Sequence, residues 1–147
     1  MMILEVVLAL VCHMGGACEE DTIEMSQEAA AVAMCESGNR ETLGSLDWGA
    51  VNVNRDGSVD MGAFQFNSHW IWNPNDRWIM RPFANDVLGM SSDTLFHLWP
   101  TPNDAPPAVQ VALFEYLWDD GNGWRHWAAS RDCWGKLIRG GISVVEN

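Results

Sequence analysis

Residues 50–67 alternate in a way that the rest of the chain does not. Val51 and Val53 are interleaved with Asn52 and Asn54, Asp56-Gly57 follows, and Val59-Asp60-Met61 returns. Period-two alternation around an Asp-Gly pair is the signature of a hairpin, because Gly reaches the positive φ that tight turns need. Helical patterns lie on both sides. Upstream, Ser26 can cap a helix through Ala29-Ala30-Ala31-Val32-Ala33-Met34, and Gly38 can stop it. Downstream, Val109, Ala112, Leu113, Tyr116 and Leu117 recur at helical spacing and are expected to face the core. Asn103 or Asp104 would cap that helix, Pro106 and Pro107 suit its first turn, and Gly121 would end it. A short helical segment is expected over 124–133. One hairpin set among helices makes the chain α+β, mostly helical, with a small β-hairpin lobe.

At 147 residues the chain has the length of one domain. Hydrophobic residues make up 48%, which excludes a disordered polymer. Eight Lys and Arg stand against twenty Asp and Glu, a net charge of −12, which excludes nucleic acid as an electrostatically bound partner. Nine Trp are present, and core packing is the default expectation for most of them, Trp78 and Trp124 included. Residues 1–17 read either as a secretory signal or as an apolar N-terminal helix, with the folded domain at 18–147. The apolar run from Met1 to Cys12, broken by Glu5, is too short for a membrane span.

Several chemistries find no motif. There is no phosphate-binding Gly-rich loop, and the four His have no metal-ligand spacing with each other or with Cys. Asn52-x-Asn54-x-Asp56-Gly57 opens like a calcium loop, but Ala63 stands where the bidentate Glu belongs. No cofactor and no metal ion are therefore expected. Paired carboxylates and indoles remain. Cleaving a glycosidic bond needs a proton donor at the leaving oxygen and a partner for the oxocarbenium-like centre, and sugar C–H faces lie well on Trp. Glu36 falls near the C-terminal end of an apolar helix, against the helix dipole. Asp60 falls on a polar hairpin. Burial should raise the pKa of the first, while the second stays ionised.

The stretch from Asn52 to Trp70, Asn-Val-Asn-Arg-Asp-Gly-Ser-Val-Asp-Met-Gly-Ala-Phe-Gln-Phe-Asn-Ser-His-Trp, resembles the substrate-cleft segment of c-type lysozymes. Asp120-Gly-Asn-Gly-Trp-Arg-His-Trp127 is similar to a second block of that family. Cys35-Glu36-Ser37-Gly38 is similar to the Glu-Ser motif of lysozymes and soluble lytic transglycosylases, and most like that of the resuscitation-promoting factors. The resemblance implies a lysozyme-like fold and cleavage of the β-1,4 bond between N-acetylmuramic acid and N-acetylglucosamine in peptidoglycan. It implies Glu36 as catalytic acid and Asp60 as second carboxylate. Asn54, Gln65 and Asn67 would be polar cleft residues, Trp70 a sugar-stacking indole, and Trp127 the indole shielding Glu36 from water. It also implies a Cys35–Cys133 disulfide, and hence an extracytoplasmic place, whether secreted, periplasmic or virion-borne. A monomer is expected.

The chain departs from the animal enzymes in a longer interval between Glu36 and Asp60, around Arg40 to Gly49, and in having only four Cys. Two alternatives follow. Many lysozyme-fold transglycosylases use the Glu alone and release anhydro-muramic ends; Asp60 would then only fix the hairpin through bonds to backbone N–H groups. A lysozyme-like scaffold can also serve as a non-catalytic glycan-binding or structural protein.

Overall fold

The computed structural model describes residues 3–12, 18–38 and 46–140, with side chains described from residue 23 onward. Among these residues the chain is α+β, with five α-helices, a hairpin and a small antiparallel sheet. Strand β1 (Ile3–Cys12) pairs antiparallel with β2 (Cys18–Ser26). The helix offered as one reading of residues 1–17 is thus corrected to a strand over Ile3–Cys12. Ile3, Val6, Val7 and Val11 are β-branched, stiff at χ1 and better suited to an extended backbone. The small-residue cut site of the secretory reading, at residues 15–17, lies outside the described residues, as do residues 40–45 of the loop expected at Arg40 to Gly49.

Helix α1 (Gln27–Glu36) begins where Ser26 accepts a hydrogen bond from the Ala29 N–H at 3.1 Å. Its first turns, Ala29 to Ala33, are fully enclosed. Small side chains on every face let neighbouring elements approach closely, as a central helix requires. Three strands follow as a meander: β3 (Val51–Val53), β4 (Val59–Met61) and β5 (Phe66–Asn67). Asn52 pairs with Asp60, and Asp60 with Asn67. Cross-strand partners share a face, so these three polar residues stand together. All three residues of β3 are exposed, Val53 at 75%, and all three of β4 are half-buried.

The proline-punctuated middle is also helical. Both Asp76 oxygens accept from the N–H groups of Trp78, Ile79 and Met80. That cap starts α2 (Met80–Pro82), which continues as a π-helical stretch over Phe83–Leu88. Helix α3 spans Ser92–Leu98, with Ser91 as its cap. Helix α4 (Pro107–Trp118) starts later than the Asn103 or Asp104 caps would place it. Asp104 instead closes a capping box with Thr101 on the preceding 3₁₀ turn, Pro102–Asp104. The helix ends three residues before Gly121, where Asp119 turns left-handed. Its buried stripe is Gln110, Val111, Leu113, Phe114, Leu117 and Trp118, leaving Tyr116 at the surface. A 3₁₀ segment, Trp124–Ser130, leads into α5 (Arg131–Gly140).

Aromatic rings run through the core as a connected ladder. Phe64 stacks on Phe114 at 4.7 Å, and Phe114 meets Trp127 at 4.8 Å and Trp118 at 5.3 Å. Trp118 then meets Trp134 edge-on at 5.3 Å. This ladder ties the β-lobe to α4 and α5. Trp72, Trp118, Trp127 and Trp134 are buried, and Trp48, Trp99 and Trp124 are half-buried. Trp78, expected in the core, is 87% exposed. No helix among the described residues is long and apolar enough to cross a membrane.

Candidate functional site

Glu36 is the last residue of α1 and is half-buried. Burial raises its carboxyl pKa above the ordinary value; negative Asp60 adds to the rise, and a hydrogen bond from the Ser130 hydroxyl opposes it. Ser130 Oγ donates to Glu36 Oε1 and also lies 3.3 Å from the Trp127 carbonyl. That carbonyl gives Ser130 a second acceptor. Ionised Glu36 takes the hydroxyl proton. Protonated Glu36 donates to Ser130 Oγ, whose own proton then turns to Trp127 O. Both charge states of the carboxyl are satisfied without moving a heavy atom.

The neighbours of Glu36 fix where it points. Cys35, one residue earlier, is joined to Cys133 on α5, with Cα atoms 5.9 Å apart. Ser37, one residue later, donates to the Ala63 carbonyl at 2.8 Å, tying the helix end to the β-lobe. Trp127 is buried, and its indole N–H donates to the Phe64 carbonyl at 2.8 Å. Its carbonyl accepts from the Trp134 indole at 2.9 Å. Trp127 therefore links the β-lobe, α5 and the Ser130 that touches Glu36.

Asp60 lies at the centre of a polar network on β4. Asn67 Nδ2 donates to Asp60 Oδ1 at 2.8 Å, and Asn54 Nδ2 donates to Oδ2 at 3.0 Å. The same two amides donate to Ser58 Oγ, which donates in turn to Asp56 Oδ1 at 2.6 Å. The Ser58 hydroxyl and N–H hold the Asp56 carboxyl below its ordinary pKa. Asp56, not Asp60, is the residue that bonds a backbone N–H in the turn, at Ser58. Asp60 is gripped by side-chain amides, one on each oxygen. In the stretch that opens like a calcium loop, Asp56 Oδ1 is thus taken by Ser58, and Asn52 and Asn54 bond as amide donors.

Gln65 takes a left-handed backbone at φ 55°, uncommon for a residue with a Cβ. Its side chain accepts from Asn52 Nδ2 at 2.6 Å and donates to the Gly62 carbonyl at 3.0 Å. Asn67 Oδ1 accepts from the N–H groups of His69 and Trp70. The residue that grips Asp60 thereby also holds Trp70, whose indole is 74% exposed. Asn54, Asp60, Gln65, Asn67 and Trp70 are thus joined through the β-lobe, while Glu36 and Trp127 are joined through Ser130.

Ser37, read in the sequence only as part of the Glu-Ser motif, and Gln110 and Ser130, which sequence reading passed over, tie the elements of the site together. Gln110 is fully buried on α4. Its Oε1 accepts from Ala63 N at 2.9 Å, and its Nε2 donates to the carbonyls of Trp48 and Pro102. Gly62 sits against it at φ 83°, where a Cβ would come within 2.5 Å of Gln110 Oε1. Only glycine fits that backbone and that space. Gln110→Ala would leave three backbone groups without partners, so thermal unfolding should show a loss of about 3 kcal/mol or more. In the second block, a Cβ on Gly123 would overlap the Leu117 carbonyl. That glycine lets the chain fold back under the end of α4.

No protein-family model matches the chain, and a search of curated proteins finds no match.

Proposed function

We propose that this chain is a lysozyme-like glycoside hydrolase that cuts the β-1,4 bond between N-acetylmuramic acid and N-acetylglucosamine in peptidoglycan. The observation that carries this reading is the contrast between two carboxyl groups. Glu36 is half-buried with a raised pKa. Asp60 is held by an amide on each oxygen. Such a contrast separates an acid from a charge-stabilising or attacking partner.

In this mechanism Glu36 protonates the glycosidic oxygen. With substrate in place the proton is carried on Oε2 toward the glycosidic oxygen, while the Ser130 hydroxyl donates to Oε1 and stabilises the carboxylate left after proton transfer. Asp60 stabilises or attacks the anomeric centre, its direction set by Asn54 and Asn67. Trp70 offers its exposed face to a sugar ring. Gln65 and Asn52 keep the lobe shaped for the chain. Acting outside the cytosol keeps the Cys35–Cys133 bridge oxidised, and one chain holds every residue that the reaction needs.

The test is clearing of a cell-wall suspension by the purified protein, followed across pH. Clearing should fall on the alkaline side as Glu36 loses its proton. Ser130→Ala removes a hydrogen bond that favours the ionised form, so it should move that limb to higher pH. An unmoved limb would detach Ser130 from the acid, and a wall left uncleared by the folded wild-type protein would remove the proposal.

A further inference from the structure

We propose that α5 and the turn before it form a docking site for a phosphodiester polymer, distinct from the Glu36–Asp60 pair. Residues 125–139 hold four of the chain's eight basic residues, Arg125, Arg131, Lys136 and Arg139. They hold one of its twenty acidic residues, Asp132. A chain of net charge −12 thus gathers a local surplus of three positive charges on one segment.

The arrangement converges. Arg131, Gly135 and Arg139 fall on one face of α5 at four-residue spacing. Gly135 is buried, and the Arg139 guanidinium folds back over it, with Nη1 3.4 Å from where a Cβ would stand. Helical side chains lean toward the N-terminus, which carries that guanidinium toward Arg131. Arg131 lies 4.5 Å over the Trp124 ring, and Arg125 lies 5.2 Å from the same ring. Arg131 and Arg139 line a cavity of about 280 Å³ with Trp118 and Trp124 as apolar walls. Asp132 is the one carboxylate on its lining.

Guanidinium forks match phosphate oxygens geometrically, and indole faces take the C–H groups between phosphates. The volume suits one phosphate with a small polyol, a repeat unit rather than a sugar chain. At physiological salt the screening length is about 8 Å, so a ligand at this face meets the nearby charges more than the net charge; Arg131 and Arg139 face it from the lining, partly offset by Asp132 and by exposed Asp119 and Asp120 between Trp118 and Gly121. The occupant to which the charge and shape commit is a glycerol-phosphate polymer. Such polymers are carried by some cell walls, so this role rests on the wall-acting reading above. The site would hold an otherwise acidic protein on an anionic surface.

The experiment measures binding of soluble poly(glycerol phosphate), which has no glycosidic bond to cut, to three forms of the whole chain. Wild type should bind, more weakly as salt rises. Arg131→Ala with Arg139→Ala should bind about tenfold more weakly or worse. Arg77→Ala with Arg81→Ala removes the same charge from exposed positions elsewhere and should bind like wild type. Near-UV circular dichroism checks that each is folded. Equal weakening in both double variants, no binding by wild type, or equal binding of polyglutamate would overturn the site. Clearing of walls stripped of phosphate polymers is measured alongside and should be the same for wild type and Arg131→Ala with Arg139→Ala. Failure of wild type there counts against the cleavage reading alone, since the binding result stands without it.

Discussion

Glu36→Gln should reduce wall clearing by about 10²–10⁴-fold or more, the range that general acid catalysis supplies. Gln keeps the length and shape of the side chain and still offers an oxygen to the Ser130 hydroxyl, so the end of α1 should remain in place. The fold should not suffer. In the wild-type protein, burial raises the Glu36 pKa above its unfolded value. A group raised in this way favours the folded state while protonated, and that contribution is lost as pH rises through its folded pKa. Near neutrality the wild-type protein therefore holds a partly buried charge that the variant lacks. Thermal unfolding across pH should show the Gln variant gaining on wild type as pH increases. A folded Gln variant that clears walls at the wild-type rate would sink the mechanism.

The second large effect is on stability. The Cys35–Cys133 bridge spans a sequence separation of 98 residues, most of the described chain. Cross-linking a loop of that length removes denatured-state entropy equivalent to about 4–5 kcal/mol. The double variant Cys35→Ala, Cys133→Ala should lose about that much and melt roughly 10–20 °C lower. Activity should fall as well, because the bridge joins the helix of Glu36 to the helix that begins just after Ser130. Melting curves with and without reductant check this. Wild type under reducing conditions should match the double variant. A melting point unchanged by both treatments would show that the bridge does not hold the domain.

The polar half of the site was the most legible part of the sequence. Asn52, Asn54, Asp56, Ser58, Asp60, Gln65 and Asn67 sit close together in the chain, and a meander brings them together by local turns. Their partners across the fold were not legible. Ser130 lies 94 residues from Glu36, and Gln110 lies 47 residues from Ala63. Neither carries a local pattern, since a buried Gln inside an apolar helix looks like an interruption. The alternation of Val51 and Val53 revealed the strand but implied a buried side that β3 does not have; hydrogen bonding among amides and carboxylates, not apolar burial, organises its polar face. The buried side of α4 was misread at Tyr116 for a related reason. Phe114 and Trp118 join an aromatic ladder whose other rings come from Phe64, Trp127 and Trp134. Of the nine Trp, three (Trp118, Trp127 and Trp134) belong to that ladder, and Trp48, Trp72, Trp99 and Trp124 are buried or half-buried elsewhere in the core. Trp70 and Trp78 are the two left largely exposed.

An acidic chain gains no long-range attraction to an anionic wall. Four of its eight basic groups lie on α5 and the turn before it, so attraction at short range is open to it.

The most direct measurement is mass spectrometry of purified peptidoglycan digested in ¹⁸O-water. Hydrolysis through Glu36 and Asp60 predicts new reducing N-acetylmuramic acid ends, each carrying one oxygen from solvent, from wild type and none from Glu36→Gln. Anhydro-muramic ends without solvent oxygen would contradict hydrolysis, and an undigested glycan would contradict cleavage altogether.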